Sequence, residues 1–143
     1  MINSGLMSCD SMEWATPQKF FDELDKEFHF TLDPCASRQN HKCDKYFTIR
    51  ENGLAQDWSG ENVFMNPPYG NESIKWVAKA YFESQKPDTL IVGLLPARTD
   101  TKWFHGYIYG KAEIRFIKNR LYFIRPDGIS GRAPFPSMVV VWE

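Results

Sequence analysis

The sequence predicts a single, compact α/β domain built on a mixed, mostly parallel β-sheet. Three apolar segments, residues 30–32, 63–65 and 89–95, each stop within two residues of a proline and are followed by polar side chains. Helical patterns lie before the first segment and between the second and the third, as expected when strands and helices alternate around a parallel sheet. At 143 residues the chain has room for one substantial core but not for a separate recognition domain.

The first helix is predicted over residues 17–28. Its apolar side chains recur at helical spacing: Phe20, Phe21, Leu24 and Phe28. Thr16 is suited to cap the amino-terminal end of this helix, with Pro17 at the first helical position. Residues 1–13 are polar and without a periodic pattern, so we expect a loose arm ahead of a domain that spans residues 14–143.

Two short strands and a turn follow this helix. Residues 30–32 are predicted as a buried strand that ends at residues 33–34 (Asp-Pro), and residues 46–49 alternate weakly, as a second strand would. The dipeptide at residues 52–53 (Asn-Gly) predicts a turn.

A third strand, a helix and a central strand make up the middle of the chain. Residues 63–65 are apolar, and Pro67, which has no N–H for a sheet, ends this strand at Asn66. Residues 73–84 predict an amphipathic helix with one apolar face: Ile74, Val77, Ala78, Tyr81 and Phe82. Residues 89–95 are almost continuously apolar, which indicates a parallel strand that is covered on both faces.

The last third of the chain is predicted to be mainly β-structure. Residues 112–117 and 121–124 are strand-like and close in sequence, which favours a β-hairpin. Residues 125–136 form a loop rich in glycine and proline, and residues 137–142 give a final strand. We expect this final strand to lie antiparallel beside the strand at residues 89–95.

The segment that ends the third strand carries the strongest functional prediction. Pro67 biases Asn66 towards an extended conformation, so the Asn66 amide, the Pro67 carbonyl and the Tyr69 ring should project together beyond the strand. In open α/β sheets, ligands bind outside the carboxyl ends of the strands. Two oxygen acceptors beside an aromatic ring suit a flat exocyclic amine, which they can hold and polarise. The alternative for Pro67-Pro68 is a turn that only leads into the next helix.

The order of motifs along the chain resembles that of the small phage-type DNA N-6-adenine methyltransferases. The resemblance covers nearly the whole chain and is carried by five motifs: residues 14–17 (Trp-Ala-Thr-Pro), 31–36 (Thr-Leu-Asp-Pro-Cys-Ala), 66–69 (Asn-Pro-Pro-Tyr), 94–100 (Leu-Leu-Pro-Ala-Arg-Thr-Asp) and 133–137 (Ala-Pro-Phe-Pro-Ser). It implies a Rossmann-like methyltransferase fold and transfer of a methyl group from S-adenosylmethionine to adenine N6 in DNA. The implied catalytic residues are Asn66, Pro67, Pro68 and Tyr69.

The resemblance also implies a cofactor site, made by Trp14, Thr16, Pro17, Asp33, Pro34, Cys35, Ala36, Asp57, Trp58 and Asn66. Residues 14–17 match the segment that approaches the amino-acid end of the cofactor, and Asp57 would accept a hydrogen bond from its adenine. Residues 35–37 (Cys-Ala-Ser) stand where the family often has a glycine-rich turn. Alternatives remain open: Thr16 as no more than a helix cap, Asp33 as the cap of a turn, and Asp57 as a surface acid beside a core tryptophan.

The implied substrate is an adenine turned out of the DNA stack. The residues expected to contact the substrate or DNA are Tyr69, Arg98, Asp100, Lys102, Trp103 and Arg132. For Trp103 the alternative is a core position on a helix that Asp100 caps. Cytosine N4, an RNA adenine or a glutamine side chain would fit the same acceptors, and a further alternative is a nucleic-acid-binding module that keeps the fold without catalysis.

Composition adds three expectations. The chain has 17 basic and 18 acidic residues, a net charge of −1, so DNA binding must rely on a local basic patch. No apolar run approaches the ~20 residues of a membrane helix, so we expect a soluble, cytoplasmic protein with no membrane partner, in the host cytoplasm if a phage encodes it. Cys35, His41 and Cys43 lack the paired short spacing of zinc ligands, so we predict no metal. The sequence predicts no particular oligomeric state.

Overall fold

The computed structural model describes residues 15–125 and 127–143, so the predicted arm over residues 1–13 and Trp14 lie outside the described residues. The described part contains three α-helices, α1 (Gln18–Phe28), α2 (Ser73–Ser84) and α3 (Lys102–Tyr107), and a short 3₁₀ helix at Gly53–Ala55. Its β-strands are β1 (Leu32–Asp33), β2 (Lys45–Tyr46), β3 (Asn62–Met65), β4 (Leu90–Pro96), β5 (Glu113–Phe116), β6 (Tyr122–Ile124), β7 (Ser130–Arg132) and β8 (Ser137–Trp142).

Six strands form the main sheet, in the order β2-β1-β3-β4-β8-β5. Strands β2, β1, β3 and β4 are parallel to one another, and the register of β3 with β4 runs from Asn62↔Leu90 to Met65↔Gly93. Strand β8 lies antiparallel between β4 and β5. The prediction of a mixed, mostly parallel sheet with an antiparallel final strand is therefore confirmed.

Apolar side chains cover both faces of this sheet. On one face, Trp76 of α2 and Trp103 of α3 belong to a core cluster that also includes Ile91 of β4. On the other face, Phe21 of α1 belongs to a second cluster with Val92, the next residue of β4. Successive side chains of a strand point to opposite faces, so β4 must be apolar at every position to fill both clusters.

The parallel strands end along one edge of the sheet. Strand β1 ends at Asp33 before Pro34, β3 ends at Met65 before Asn66, and β4 ends at Pro96. The polar residues that follow them are thereby collected at the carboxyl edge, where ligands of open α/β sheets bind.

Strands β6 and β7 form a separate two-stranded hairpin in which Tyr122 lies opposite Arg132. The predicted hairpin between residues 112–117 and 121–124 is wrong. Strand β5 pairs with β8 in the main sheet, and the partner of β6 comes from inside the loop predicted for residues 125–136. The proximity of two apolar segments in sequence did not determine their pairing.

The β6–β7 hairpin is joined to the chain just before α1. Ala15 and Ile124 exchange two backbone hydrogen bonds, of 2.7 and 3.0 Å. Phe123, the middle residue of β6, is fully buried in the second core cluster. The hairpin is therefore anchored on its inner side, whereas Tyr122 and Ile124 are exposed.

Two helix predictions need correction in detail. Helix α2 has the predicted bounds, but Trp76 and Ala80 are buried, whereas Ile74 and Phe82 are 44% and 59% exposed. Helix α3 is capped by the residue before it, Thr101, whose hydroxyl accepts a hydrogen bond from the Phe104 N–H at 3.2 Å, and not by Asp100. None of the helices in the described part of the chain is long and apolar enough to cross a membrane.

Candidate active site

A cavity lies at the carboxyl ends of β1 and β3. Its lining combines side chains from separate parts of the sequence: Thr16, Asp33, Cys35, Asn40, Lys42, Phe64 and Asn66. The two strand ends that the sequence singled out, at Asp33 and Asn66, therefore open into the same space.

Asn66 and the prolines after it form a rigid turn beside this cavity. The Asn66 side-chain Oδ1 accepts a hydrogen bond from the Tyr69 hydroxyl at 3.3 Å. The Pro68 carbonyl accepts one from Ser73 Oγ at 3.0 Å, whereas the Pro67 carbonyl has no hydrogen-bond partner among the described residues. Asn66 Oδ1 and the Pro67 carbonyl are therefore the two acceptors that this turn can offer to a planar amine.

The Thr16 hydroxyl is directed at this turn and not at the helix end. Thr16 is 2% exposed, and its Oγ1 accepts a hydrogen bond from Asn66 Nδ2 at 3.0 Å. Helix α1 begins after Pro17, and no side chain caps it. The prediction that Thr16 caps α1 is therefore wrong, because its hydroxyl is engaged with Asn66.

The Tyr69 ring packs edge-on against two phenylalanine rings. The distance between ring centroids is 6.2 Å to Phe123 and 4.9 Å to Phe135. The Arg98 guanidinium lies 6.0 Å from the centroid of the Phe135 ring. Burial raises the pKa of Tyr69, so its hydroxyl stays protonated at neutral pH and can donate to Asn66.

Asp33 is a buried carboxyl group that the following loop holds in place. Its Oδ1 accepts a hydrogen bond from the Cys35 N–H at 3.3 Å, and its Oδ2 accepts one from the Lys42 N–H at 2.9 Å. Burial raises the pKa of Asp33 from 3.8 to about 6, and it outweighs the lowering effect of these donors. Within residues 15–125 and 127–143, no cation forms an ion pair with Asp33.

The turn after Asp33 is compact although it contains no glycine. Pro34 is buried, and the Ala36 N–H donates to the Phe47 carbonyl at 3.0 Å. Gly53 packs so closely on this turn that a Cβ atom built there would overlap the Pro34 carbonyl oxygen. Gly53 therefore lets the 3₁₀ helix pack directly against the backbone of this turn.

The cysteines near the cavity are free thiols. Burial raises the pKa of both Cys35 and Cys43, that of Cys43 to about 12. His41 Nδ1 donates to the Cys43 carbonyl at 2.8 Å, and its ring stacks on Tyr46 at 3.9 Å between centroids. Among the residues that the structure describes, no three His, Cys, Asp or Glu side chains converge on a possible metal position.

Asp57 and Trp58 lie away from the cavity. Asp57 is exposed just before β3, at the opposite edge of the sheet, where the Lys86 ammonium at 2.9 Å holds its pKa well below the usual range. Trp58 is fully buried, donates its Nε1–H to the Gly53 carbonyl at 3.0 Å and stacks on Trp76. Neither residue lines the cavity, and a surface acid beside a core tryptophan describes their surroundings.

The residues expected to contact DNA differ in their exposure. Trp103 is 9% exposed and packs in the core, which is the alternative that the sequence left open. Arg98, Asp100 and Lys102 are exposed after the carboxyl end of β4, and Arg132 is exposed on β7.

Several residues of the site were not predicted from the sequence. Phe64 could have been found, because it lies two positions before Asn66 and therefore on the same face of β3. Asn40 and Lys42 belong to a loop with no periodic pattern, and they reach the cavity because the Asp33 carboxylate holds the Lys42 N–H. Phe135, which supports Tyr69, lies in the motif at residues 133–137, to which the sequence assigned no role at the site.

The chain is similar to known proteins over most of its length. A family model described as DNA N-6-adenine-methyltransferase (Dam) matches residues 3–143. A DNA N-6-adenine-methyltransferase of Haemophilus phage HP1 (strain HP1c1) is 35% identical over 148 aligned residues, which cover 100% of this chain and 85% of the relative. A protein of the same name from Escherichia phage T1 is 34% identical over 107 residues, 73% of this chain and 44% of the relative. The putative methyltransferase YfdM of Escherichia coli (strain K12) is 38% identical over 64 residues, 40% of this chain and 70% of the relative. The chain therefore belongs to the DNA N-6-adenine-methyltransferase (Dam) family.

Proposed function

We infer that this protein transfers a methyl group from S-adenosylmethionine to the N6 amino group of adenine in DNA. The inference rests on the acceptor pair of Asn66 Oδ1 and the Pro67 carbonyl, beside a cavity that also contains Asp33. Adenine N6 is a poor nucleophile because its lone pair is delocalised into the ring, and two oxygen acceptors favour its pyramidal, reactive geometry. The name of the two phage relatives, DNA N-6-adenine-methyltransferase, supports the same reaction.

The chemistry of the residues that line the cavity supports S-adenosylmethionine as the cofactor. Asp33 is a buried carboxyl group without an ion pair in the described part of the chain, so a ligand that brings hydrogen-bond donors or positive charge would stabilise its ionised form. Phe64 and Cys35 give the same cavity apolar walls, as small-molecule sites usually have. When bound, the cofactor would supply a methyl group that its sulfonium already activates.

In this proposal the protein aligns and polarises the amine. The Tyr69 hydroxyl gives up its hydrogen bond to Asn66 Oδ1, and one N–H of the substrate takes its place. The second N–H donates to the Pro67 carbonyl. The Tyr69 ring, which Phe135 supports from the side, stacks on the base. The two prolines fix the backbone of this turn, so the acceptors need little reorganisation during the reaction.

We propose that DNA contacts the face of the protein that carries the β6–β7 hairpin. Residues 117–137 contain four basic residues and one acidic residue, a net charge of +3 in a chain with a net charge of −1: Lys118, Arg120, Arg125, Arg132 and Asp127. A local basic surface of this kind attracts phosphates although the whole protein is nearly neutral. An adenine in a duplex must leave the stack to reach Asn66, at a cost on the order of a few kcal/mol. We expect the reaction to take place in the cytoplasm, where DNA and cofactor are both available.

The test is incubation of the protein with unmethylated DNA and labelled S-adenosylmethionine, followed by digestion to nucleosides. We expect label in N6-methyldeoxyadenosine, and no label with the Asn66→Ala variant, which should still bind S-adenosylhomocysteine. Asn66→Ala protein that methylates at the wild-type rate would refute the role of this turn. Label in N4-methylcytosine, RNA or protein would identify another planar amine or amide as the substrate. No label and no thermal stabilisation by S-adenosylhomocysteine would identify a non-catalytic module.

A further inference from the structure

One acid and one base line the cavity without pairing with each other. Asp33 is buried and Lys42 is half-buried, and their side chains do not form an ion pair. Lys42 Nζ instead donates to Gln18 Oε1 at 2.8 Å and lies 6.0 Å from the centroid of the Phe21 ring. A carboxylate and an ammonium group that are held apart on two residues lining one cavity suit a ligand that carries both charges.

Lys42 is fixed at both its backbone and its side chain. Its N–H donates to Asp33 Oδ2 at 2.9 Å, while its ammonium group reaches Gln18, the first residue of α1. Gln18 is held in turn, because its Nε2 donates to Asp22 Oδ1 at 2.8 Å. Burial lowers the pKa of Lys42, so an anionic partner would favour its charged form. This arrangement holds the ammonium group of Lys42, a residue that lines the cavity, beside the first turn of α1.

S-adenosylmethionine carries both charges at its amino-acid end, an ammonium and a carboxylate on the same carbon atom. We propose that Lys42 binds this carboxylate, with Gln18 as the positioning residue that holds the Lys42 ammonium group. Asp33, on the same cavity, remains available to the donors of the ligand. The proposal rests on the proposed function, since it takes S-adenosylmethionine as the cofactor.

Calorimetric titration with two ligands tests the proposal, namely S-adenosylhomocysteine and its decarboxylated analogue, which keeps the ammonium group. Lys42→Met keeps the apolar stem of the side chain and removes its charge. Loss of a charge-assisted hydrogen bond should weaken S-adenosylhomocysteine binding about tenfold to a hundredfold. The decarboxylated analogue should bind Lys42→Met as well as it binds the wild type. Lys42→Arg should keep most of the affinity for S-adenosylhomocysteine.

The matched control is Lys26→Met, which removes the same charge from an exposed position in the last turn of α1. It should bind S-adenosylhomocysteine like the wild type. If Lys42→Met lost affinity equally for both ligands, Lys42 would only support the loop. If its affinity for S-adenosylhomocysteine were unchanged, Lys42 would make no contact with the carboxylate. Either result overturns the proposal, and Lys42→Gln gives the same comparison if Lys42→Met does not fold. Wild-type protein that fails to bind S-adenosylhomocysteine would refute the proposed cofactor itself.

Discussion

The buried carboxyl group of Asp33 should make the stability of this protein depend on pH. Its pKa is raised from 3.8 to about 6 in the folded protein, so folding disfavours the ionised form. One pKa unit corresponds to about 1.36 kcal/mol, so this difference of about two units corresponds to about 3 kcal/mol. The contribution to the free energy of unfolding is fully present below pH 3.8 and is lost as the pH rises to about 6.

Asp33→Asn removes this titration. In urea unfolding between about pH 3 and about pH 7, the stability of the wild type should fall by about 3 kcal/mol relative to that of the variant. The amide lacks one acceptor for the N–H groups of Cys35 and Lys42, which lowers stability by an amount that does not depend on pH. Asp44→Asn, at an exposed acid in the same loop, should follow the wild-type profile. Parallel profiles for the wild type and Asp33→Asn would refute the assignment of a desolvated carboxyl group.

Three further substitutions have expected outcomes. Gly53→Ala should lower the free energy of urea unfolding by about 1–3 kcal/mol, because the new Cβ would overlap the Pro34 carbonyl oxygen. Arg132→Ala should weaken binding to DNA of any sequence and should reduce the slope of log affinity against log salt by about 0.9, if Arg132 contacts one phosphate. Asp57→Asn should leave S-adenosylhomocysteine affinity unchanged in calorimetry, because Asp57 is exposed and paired with Lys86.

Each of these three predictions has a control variant or a result that would contradict it. Gly106→Ala adds the same methyl group to a helix position with no neighbour within 4 Å, so it should not destabilise the protein. Lys75→Ala removes a positive charge from α2 as a control. If the slope of log DNA affinity against log salt fell equally in this variant, a specific phosphate contact of Arg132 would be contradicted. A large loss of cofactor affinity in Asp57→Asn would mean that Asp57 acts at the cavity after all.

The main sheet could be predicted because its determinants are local. Pro34, Pro67 and Pro96 lie where parallel strands end, and a strand that is apolar at every position must be covered on both faces. The partner of β6 could not be predicted in this way. Apolar alternation shows that a segment is a strand, whereas its pairing depends on contacts between segments, here with residues 130–132.

For helix α2 and the cavity too, the local sequence predicted the elements, whereas contacts between distant segments decided how they pack. Helical spacing identified a helix with apolar residues, but the inward face is the one that carries Trp76, which stacks on Trp58 with 6.2 Å between ring centroids. Asp33 and Asn66 were predicted because each directly follows a strand that the sequence predicted. Lys42 could not be found from its neighbours in sequence, since the carboxylate of Asp33 draws its loop to the cavity.

The consecutive residues Ala15 and Thr16 connect the hairpin with the cavity. Ala15 is hydrogen-bonded to Ile124 of β6, and Thr16 is hydrogen-bonded to Asn66. A displacement of the β6–β7 hairpin by DNA would therefore be passed through Ala15 and Thr16 to the side-chain amide of Asn66. We expect heterotropic cooperativity as the consequence: S-adenosylhomocysteine should change the affinity for DNA, and DNA should change the affinity for S-adenosylhomocysteine by the same factor. Identical DNA affinities with and without S-adenosylhomocysteine would show that this connection carries no coupling.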